Sequence, residues 1–444
     1  MKRQGATPKG CEKRVRDMRC DRVEDFRVKG RVTYALSGIL TGLVVGIITK
    51  ARSLRQVETR TDQVAKKHGV WKGIKKRIAD NTFSKVLSRL KFSSLVACLH
   101  RLIKAEHRRG NLKPTALPVG TVAIDGKNVA TLRWHDLCRL VDVDKTTASP
   151  QEVKRLFVER YPEAQVCIPE NGESYALIRV HTVSLISSGP AVCIHLRPIA
   201  GHTNEIASMP PLLQELNARY GRTRLFSLVT TDAGNTSKEV GAQIRRYGYH
   251  YFGQVKSGHG EIYAEALRRL RYSSETEADA EHVDTQNGQV VTYHIWQTDL
   301  SEAGWLDWSH ARQIVRVQRT AIDPETGEAR VGNRYYVSSK TVTELGVKSA
   351  LKISRGHWRC ENGTHWTADA ELMEDCRQVK WSRHPNGVLS VAVLRMAGLA
   401  ILAVARYLSR LGHTEERPTW QQVCEHFLLQ LCDSVLETEA FDAV

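Results

Sequence analysis

"TVAIDGK" (residues 121–127) is a short run of β-formers that ends in an acid, and "RLFSLVTTD" (residues 224–232) repeats the pattern further along the chain. Each run places a carboxylate, Asp125 and Asp232, at the end of a predicted strand. Between them lie "SYALIRVHTVSLISS" (174–188) and "AVCIHLRPI" (191–199), two more strand-like runs separated by a Gly-Pro hairpin signal. "NEIASMPPLLQELNARYG" (204–221) reads as a helix after an early proline break. "TSKEVGAQIRRYG" (236–248) reads as another helix, and "YHYFGQVK" (249–256) as a further strand. The order strand, strand, strand, helix, strand, helix, strand predicts a mixed α/β sheet. Strand ends present side chains to a shared crevice. With the first and fourth strands as neighbours, Asp125 and Asp232 would converge.

A third acid stands out further on. In "RGHWRCENGTHW" (355–366) two tryptophans, two histidines, two arginines and a cysteine surround a single carboxylate, Glu361. A helical reading puts Trp358, Glu361 and His365 on one face at three- and four-residue spacing. Glu374 and Asp375 are rival third acids, but "LMEDCRQVK" reads as an exposed face. Each acid also has a plain structural reading: Asp125 capping the turn before Gly126, and Asp232 capping the helix that starts near Thr236. In "GHTNE" (201–205), Thr203 as a helix cap is simpler than a metal site.

The composition restricts the function classes. The chain has 444 residues with ordinary apolar and charged fractions, which excludes wholesale disorder. Its net charge is +17, and residues 1–110 carry 28 lysines and arginines against 9 acids. All of the positive excess therefore lies in the first quarter, as expected for a module that binds a polyanion. The ten cysteines show neither C-x-x-C pairs nor zinc spacing, so free thiols in a reducing cytoplasm are expected, with Cys98, Cys193 and Cys424 buried. No signal peptide is expected, and the chain reads as cytoplasmic with no membrane partner. Residues 32–48 and 388–408 are apolar enough to resemble membrane spans. The second contains Arg395 and Arg406, and the first runs on helically into "KARSLRQVE", so both read as core helices.

Three carboxylates brought together repel unless cations join them. Oxygen-only ligands suit magnesium, with manganese as a substitute, and two such ions form a clamp for displacement at phosphorus. The blocks "AIDGK", "TNEIASMPPLLQEL", "TTDAGNTSKEVGAQIRRYGYHYFGQVKSGHG", "RYYVSS" and "RGHWRCENGTHWTADAELMED" resemble bacterial insertion-sequence transposases of the DDE type, most closely the ISAs-type branch of the IS-four-like superfamily.

That resemblance implies an α/β, RNase H-like mixed-sheet catalytic core with a β-rich insertion, preceded by an all-helical N-terminal domain. Asp125, Asp232 and Glu361 match its catalytic, metal-holding positions, with two Mg²⁺ ions between them. Lys127, Lys256, Arg355, His357, Arg359 and Asn362 are the expected DNA contacts. The implied partner is double-stranded DNA, transposon ends and target, bound by a homodimer or higher multimer in the nucleoid. The implied reaction is strand cleavage followed by 3′-hydroxyl transfer. The rival readings are an inactive DNA-binding relative and a metal-dependent nuclease that cannot join ends.

The expected division is a basic, partly disordered arm (1–30), a helical DNA-binding and assembly domain (31–115) and the first part of the core (116–256). A β-rich insertion subdomain (257–345) and the glutamate helix with C-terminal helices (346–444) follow. The sequence departs from the family pattern in four places: the long segment 128–173 after "AIDGK", Ser237 where a glutamine is usual, "VKSGHG" in place of "KGNQ", and His357 where the superfamily often has arginine.

Overall fold

The computed structural model describes residues 8–66, 71, 73–286, 288–308, 310–374, 381–409 and 417–432. Its strands are β1 (Thr121–Arg133), β2 (Ala164–Cys167), β3 (Tyr175–Leu185), β4 (Val192–Pro198), β5 (Leu228–Thr231), β6 (His250–Val255), β7 (Ala280–Gln286), β8 (Gln289–Asp299), β9 (Gln313–Ile322) and β10 (Ala329–Ser338). They form one mixed sheet in the order β2-β3-β1-β5-β6-β10-β9-β8-β7, with β4 also paired to β3. β1, β5 and β6 run parallel and β3 is antiparallel to β1. This arrangement is compatible with an RNase H-like core.

Two strand expectations change. β1 does not stop at its acid: antiparallel pairing with β3 carries it on to Arg133. What ends near Asp125 is the parallel ladder to β5, whose last registered pair is Ile124 with Thr231. The β-rich segment is not hydrogen-bonded only to itself either. Residues 335–338 of β10 pair with 252–255 of β6, so β7–β10 extend the core sheet. β7 is a strand that the sequence reading missed, and most of it is exposed and polar.

The helices are α1 (Pro8–Asp17), α2 (Leu36–Ile48), α3 (Leu54–Lys66), α4 (Asp80–Leu87), α5 (Phe92–Arg108), α6 (Trp134–Leu140), α7 (Pro150–Arg160), α8 (Glu205–Tyr220), α9 (Lys238–Arg246), α10 (Glu261–Leu270), α11 (Val347–His357), α12 (Pro385–Leu408) and α13 (Trp420–Cys432). The N-terminal arm is ordered from Pro8, because Cys11, Val15 and Met18 on and after α1 bury an apolar edge that its many charges disguise; residues 1–7 lie outside the described residues.

The apolar stretch 32–48 and the following "KARSLRQVE" do not make one helix. The chain breaks after Ile48, with Lys50 at φ 52°, and α3 turns back onto α2. α12 is a core helix as expected: it is long and apolar enough to cross a membrane, yet its apolar stretch is buried within the protein. It packs on α2, α5 and β4, so the N-terminal helices and the sheet contribute to one apolar core. The cysteines with described side chains are free thiols, and Cys98, Cys193 and Cys424 are buried.

Candidate active site

Strand alternation decides which side of the sheet each acid faces. On β1, Ala123, Asp125 and Lys127 share a face; on β5, Leu228 and Thr230 share it, with Asp232 next in line. Ala123 lies opposite Thr230. α11 covers this face: Ala350, Leu351 and Ile353 pack with Leu228 and Phe252, and Cys360 packs with Ala123. Beyond α11 the chain stays helical but widens into π-helical turns at Cys360–His365 and Thr367–Glu371. Such i→i+5 turns occur often at functional sites. Here they spread the side chains along β1: Cys360 reaches Ala123, His365 reaches Asp125, and Asp369 reaches Lys127.

Glu361 thus arrives on the side of the sheet that carries Asp125 and Asp232. The Asp125 carboxyl is pushed up to about 7 by burial first, then by the negative charges of Glu361, Asp232 and Glu205. Glu361 is also raised, by burial and by Asp232, with Arg334 opposing. Both shifts come from burial first and from gathered like charges second. All the donors are carboxylate oxygens, the set that suits a hard divalent ion. Among the described residues, however, no three acids, histidines or cysteines stand close enough to grip one ion as placed. The electrostatics and the spacing therefore describe a loose ring of acids, not a closed cage.

The surroundings of the ring are well defined. Asn235 is buried; its Nδ2 donates to Asp232 Oδ1 at 2.9 Å and to Glu205 Oε2 at 3.1 Å, and its backbone N–H donates to Asp232 Oδ1 at 3.0 Å. Ser237, not Asp232, caps α9 by accepting from Val240 N–H. Asn204, not Thr203, caps α8, and Glu205 follows it in the first turn. Gly126 makes room there, since a Cβ at that position would displace the Glu205 carboxylate. Glu205 and Asn235 were missed in the sequence. The only signal was a glycine directly after Asp125, which makes room for a neighbour it does not name. His365 Nδ1 lies 3.4 Å from Asp125 Oδ2 and its Nε2 lies 2.6 Å from Thr182 Oγ1. Burial first, and then Lys127, push His365 down to about 4, so its ring is neutral at neutral pH.

Three expected DNA contacts are instead committed inside the protein. Lys127 is buried, with Nζ 2.5 Å from Asp369 Oδ1 and 3.1 Å from Glu374 Oε2. Glu374 is therefore a buried partner rather than part of an exposed face, and Arg395 of α12 meets its other oxygen at 2.8 Å; Asp375 lies outside the described residues. His357 is buried, bonded to Thr230 Oγ1 at 2.9 Å and pushed down to about 4 by burial. Arg359 donates to the carbonyls of Ile186, Ser188 and Gly189, tying the helix to the β3–β4 connection. Lys256 and Asn362 are exposed. Arg355 pairs with Asp284 and lies over the Tyr293 ring at 4.8 Å. Trp358 and Glu361 are half-buried while His365 is buried and Trp366 is exposed, so the single α-helical face expected for 358, 361 and 365 is split by the π turns.

A family model described as "Transposase DDE domain" matches residues 136–383, a span that includes Asp232 and Glu361 and begins after Asp125. The "H repeat-associated putative transposase YhhI" of Escherichia coli strain K12 is 26% identical over 204 residues, which cover 44% of this chain and 52% of that protein. The "Putative transposase YncI" of Escherichia coli O157:H7 is 24% identical over 208 residues, covering 45% and 51% respectively. "Putative protein YbfL" of strain K12 is 26% identical over 205 residues, covering 44% and 52%. The chain spans about half the length of the curated relatives it matches.

Proposed function

The chain belongs to the transposase DDE-domain family, and from that premise we propose that it is a metal-dependent DNA transposase of the ISAs-type branch. It would cut the ends of its own insertion sequence and join the freed 3′-hydroxyl to target DNA. The observation that carries this reading is the gathering of Asp125, Asp232 and Glu361, from three distant segments, on one side of the sheet, with Asp125 raised by burial first and then by its neighbours' charge. These three residues would hold two Mg²⁺ ions, which when bound supply an activated oxygen nucleophile and neutralise the departing one.

The chain's own residues do the rest. Asn235 fixes the Asp232 carboxylate through two hydrogen bonds to one oxygen, leaving the other oxygen available. Neutral His365 and Thr182 set the orientation of Asp125. The basic N-terminal helices, with Lys13, Arg16, Lys85 and Arg108 exposed, and the α3–α4 connection, with Lys75 and Lys76 exposed, would supply cations for duplex phosphates. Pairing two DNA ends would take a dimer or higher multimer.

The test is a cleavage and strand-transfer assay on duplexes that carry the element's ends, with magnesium and with chelator. Cutting plus joining that needs the metal is expected. Cutting without joining would identify a nuclease. Binding without either reaction would identify an inactive relative and overturn the proposal.

A further inference from the structure

Beside Glu361 the sheet face that carries Tyr293 of β8, Arg319 of β9, and Arg330 and Arg334 of β10 is uncovered at its far end. With Arg355 and Trp358 of the helix it encloses a groove of about 660 Å³. Register puts these strand residues on one face: Arg319 lies opposite both Tyr293 and Gly332, and Arg330 and Arg334 flank Gly332 at two-residue intervals. Among the described residues only Arg355 of the four arginines makes an ion pair. The Arg334 guanidinium lies over the Trp358 ring at 4.7 Å, so a cation and an aromatic stand together on the groove wall. Arg319, Arg330 and Arg334, gathered on one strand face, repel one another and make no ion pair among the described residues. Alternating guanidinium and aromatic groups suits a nucleic acid strand, phosphates on the arginines and bases against the rings. A groove of this size has room for a nucleotide or two.

We propose that this groove, framed by Arg319, Arg330, Arg334 and Trp358, binds a single DNA strand running away from the acids. Its choice of ligand rests on the transposase reading above. Glu361 is one step along the helix from the groove wall, and Arg334 acts on its charge, so a strand seated here would have its end near Asp125 and Asp232.

The experiment uses the full chain and a short fluorescein-labelled single-stranded oligodeoxynucleotide, followed by anisotropy across a salt series. The Arg319→Ser/Arg330→Ser variant is expected to bind at least about tenfold more weakly, with a salt slope shallower by about 0.7 for each phosphate that is no longer neutralised. Lys154→Ser/Arg155→Ser on α7, exposed and away from the groove, is the control and should bind as wild type. Gly332→Asp is the second variant, since a Cβ there meets nothing within 4 Å and the added carboxylate enters the groove without a clash; it too should weaken binding. Wild-type affinity and slope in the groove variants would overturn the groove and leave the transposase reading standing. Tighter binding of the matching duplex through the same arginines would overturn the single-strand assignment. A wild-type chain that binds no DNA at all would overturn both.

Discussion

Asp125 and Lys127 stand two residues apart on one face of β1, yet their ionic surroundings are opposite. Lys127 enters a balanced cluster: Asp369 and Glu374 face Lys127 and Arg395, all but Asp369 drawn into the interior. Asp125 enters an unbalanced one, where Glu361, Asp232 and Glu205 add negative charge and the neighbouring histidine is neutral. The same helix serves both, its π turns setting Glu361 by the first and Asp369 by the second. Buried charges that pair internally hold a fold in register, whereas acids left in excess await a cation from outside. The contrast separates scaffold from proposed chemistry more sharply than residue type does.

The largest effect should come from the unbalanced side. Asp232→Asn is expected to lower metal-dependent strand cleavage by about 10³-fold or more, equivalent to upwards of about 4 kcal/mol of barrier. DNA affinity and the thermal midpoint should stay near wild type, because the variant removes a repulsive charge and retains an oxygen acceptor for Asn235. Undiminished turnover in a single-turnover gel assay would remove Asp232 from the site.

The balanced cluster should answer the opposite way. Glu374→Gln leaves Lys127 and Arg395 buried without their shared partner and is expected to cost about 3–5 kcal/mol of stability. Urea denaturation would read this as a lower midpoint with an unchanged slope. Any fall in activity should track the unfolded fraction. A variant as stable as wild type would show that the cluster does not hold the helix to β1.

The smallest effect is a pH dependence. Burial draws the Glu374 carboxyl upward, but Arg395 and Lys127 outweigh it and hold the group below its ordinary value of 4.5. A depressed carboxylate stabilises the fold above its unfolded pKa and loses that contribution as pH falls through its folded value. The stability gap between wild type and Glu374→Gln should therefore be flat from roughly pH 8 to pH 5 and close below about 4.5. A gap that widened in acid would contradict the pairing.

Much of the core was readable from the chain because its signals are local. The strand-helix alternation from 121 to 256, the "GP" hairpin between β3 and β4, and the burial of α12 around Arg395 follow from pattern alone. Asp125 and Asp232 stood out because each interrupts an apolar run. Lys127, His357 and Arg359 have internal partners that the sequence did not disclose, for one shared reason. A cation near a candidate acid looks the same in sequence whether it faces solvent or an internal partner. The partners here are Glu374, Thr230 and the carbonyls after β3, each far away along the chain.

The sequence by itself settled which residues could carry charge to the sheet, since alternation and apolar runs are properties of neighbouring residues. Tertiary structure alone decided which charges stay unmatched. That depends on where the π-widened helix lays its acids along β1, on Glu205 reaching over Gly126, and on Arg395 arriving from α12 to neutralise Glu374. Electrostatic balance is set by distance in space, and no spacing along the chain encodes it.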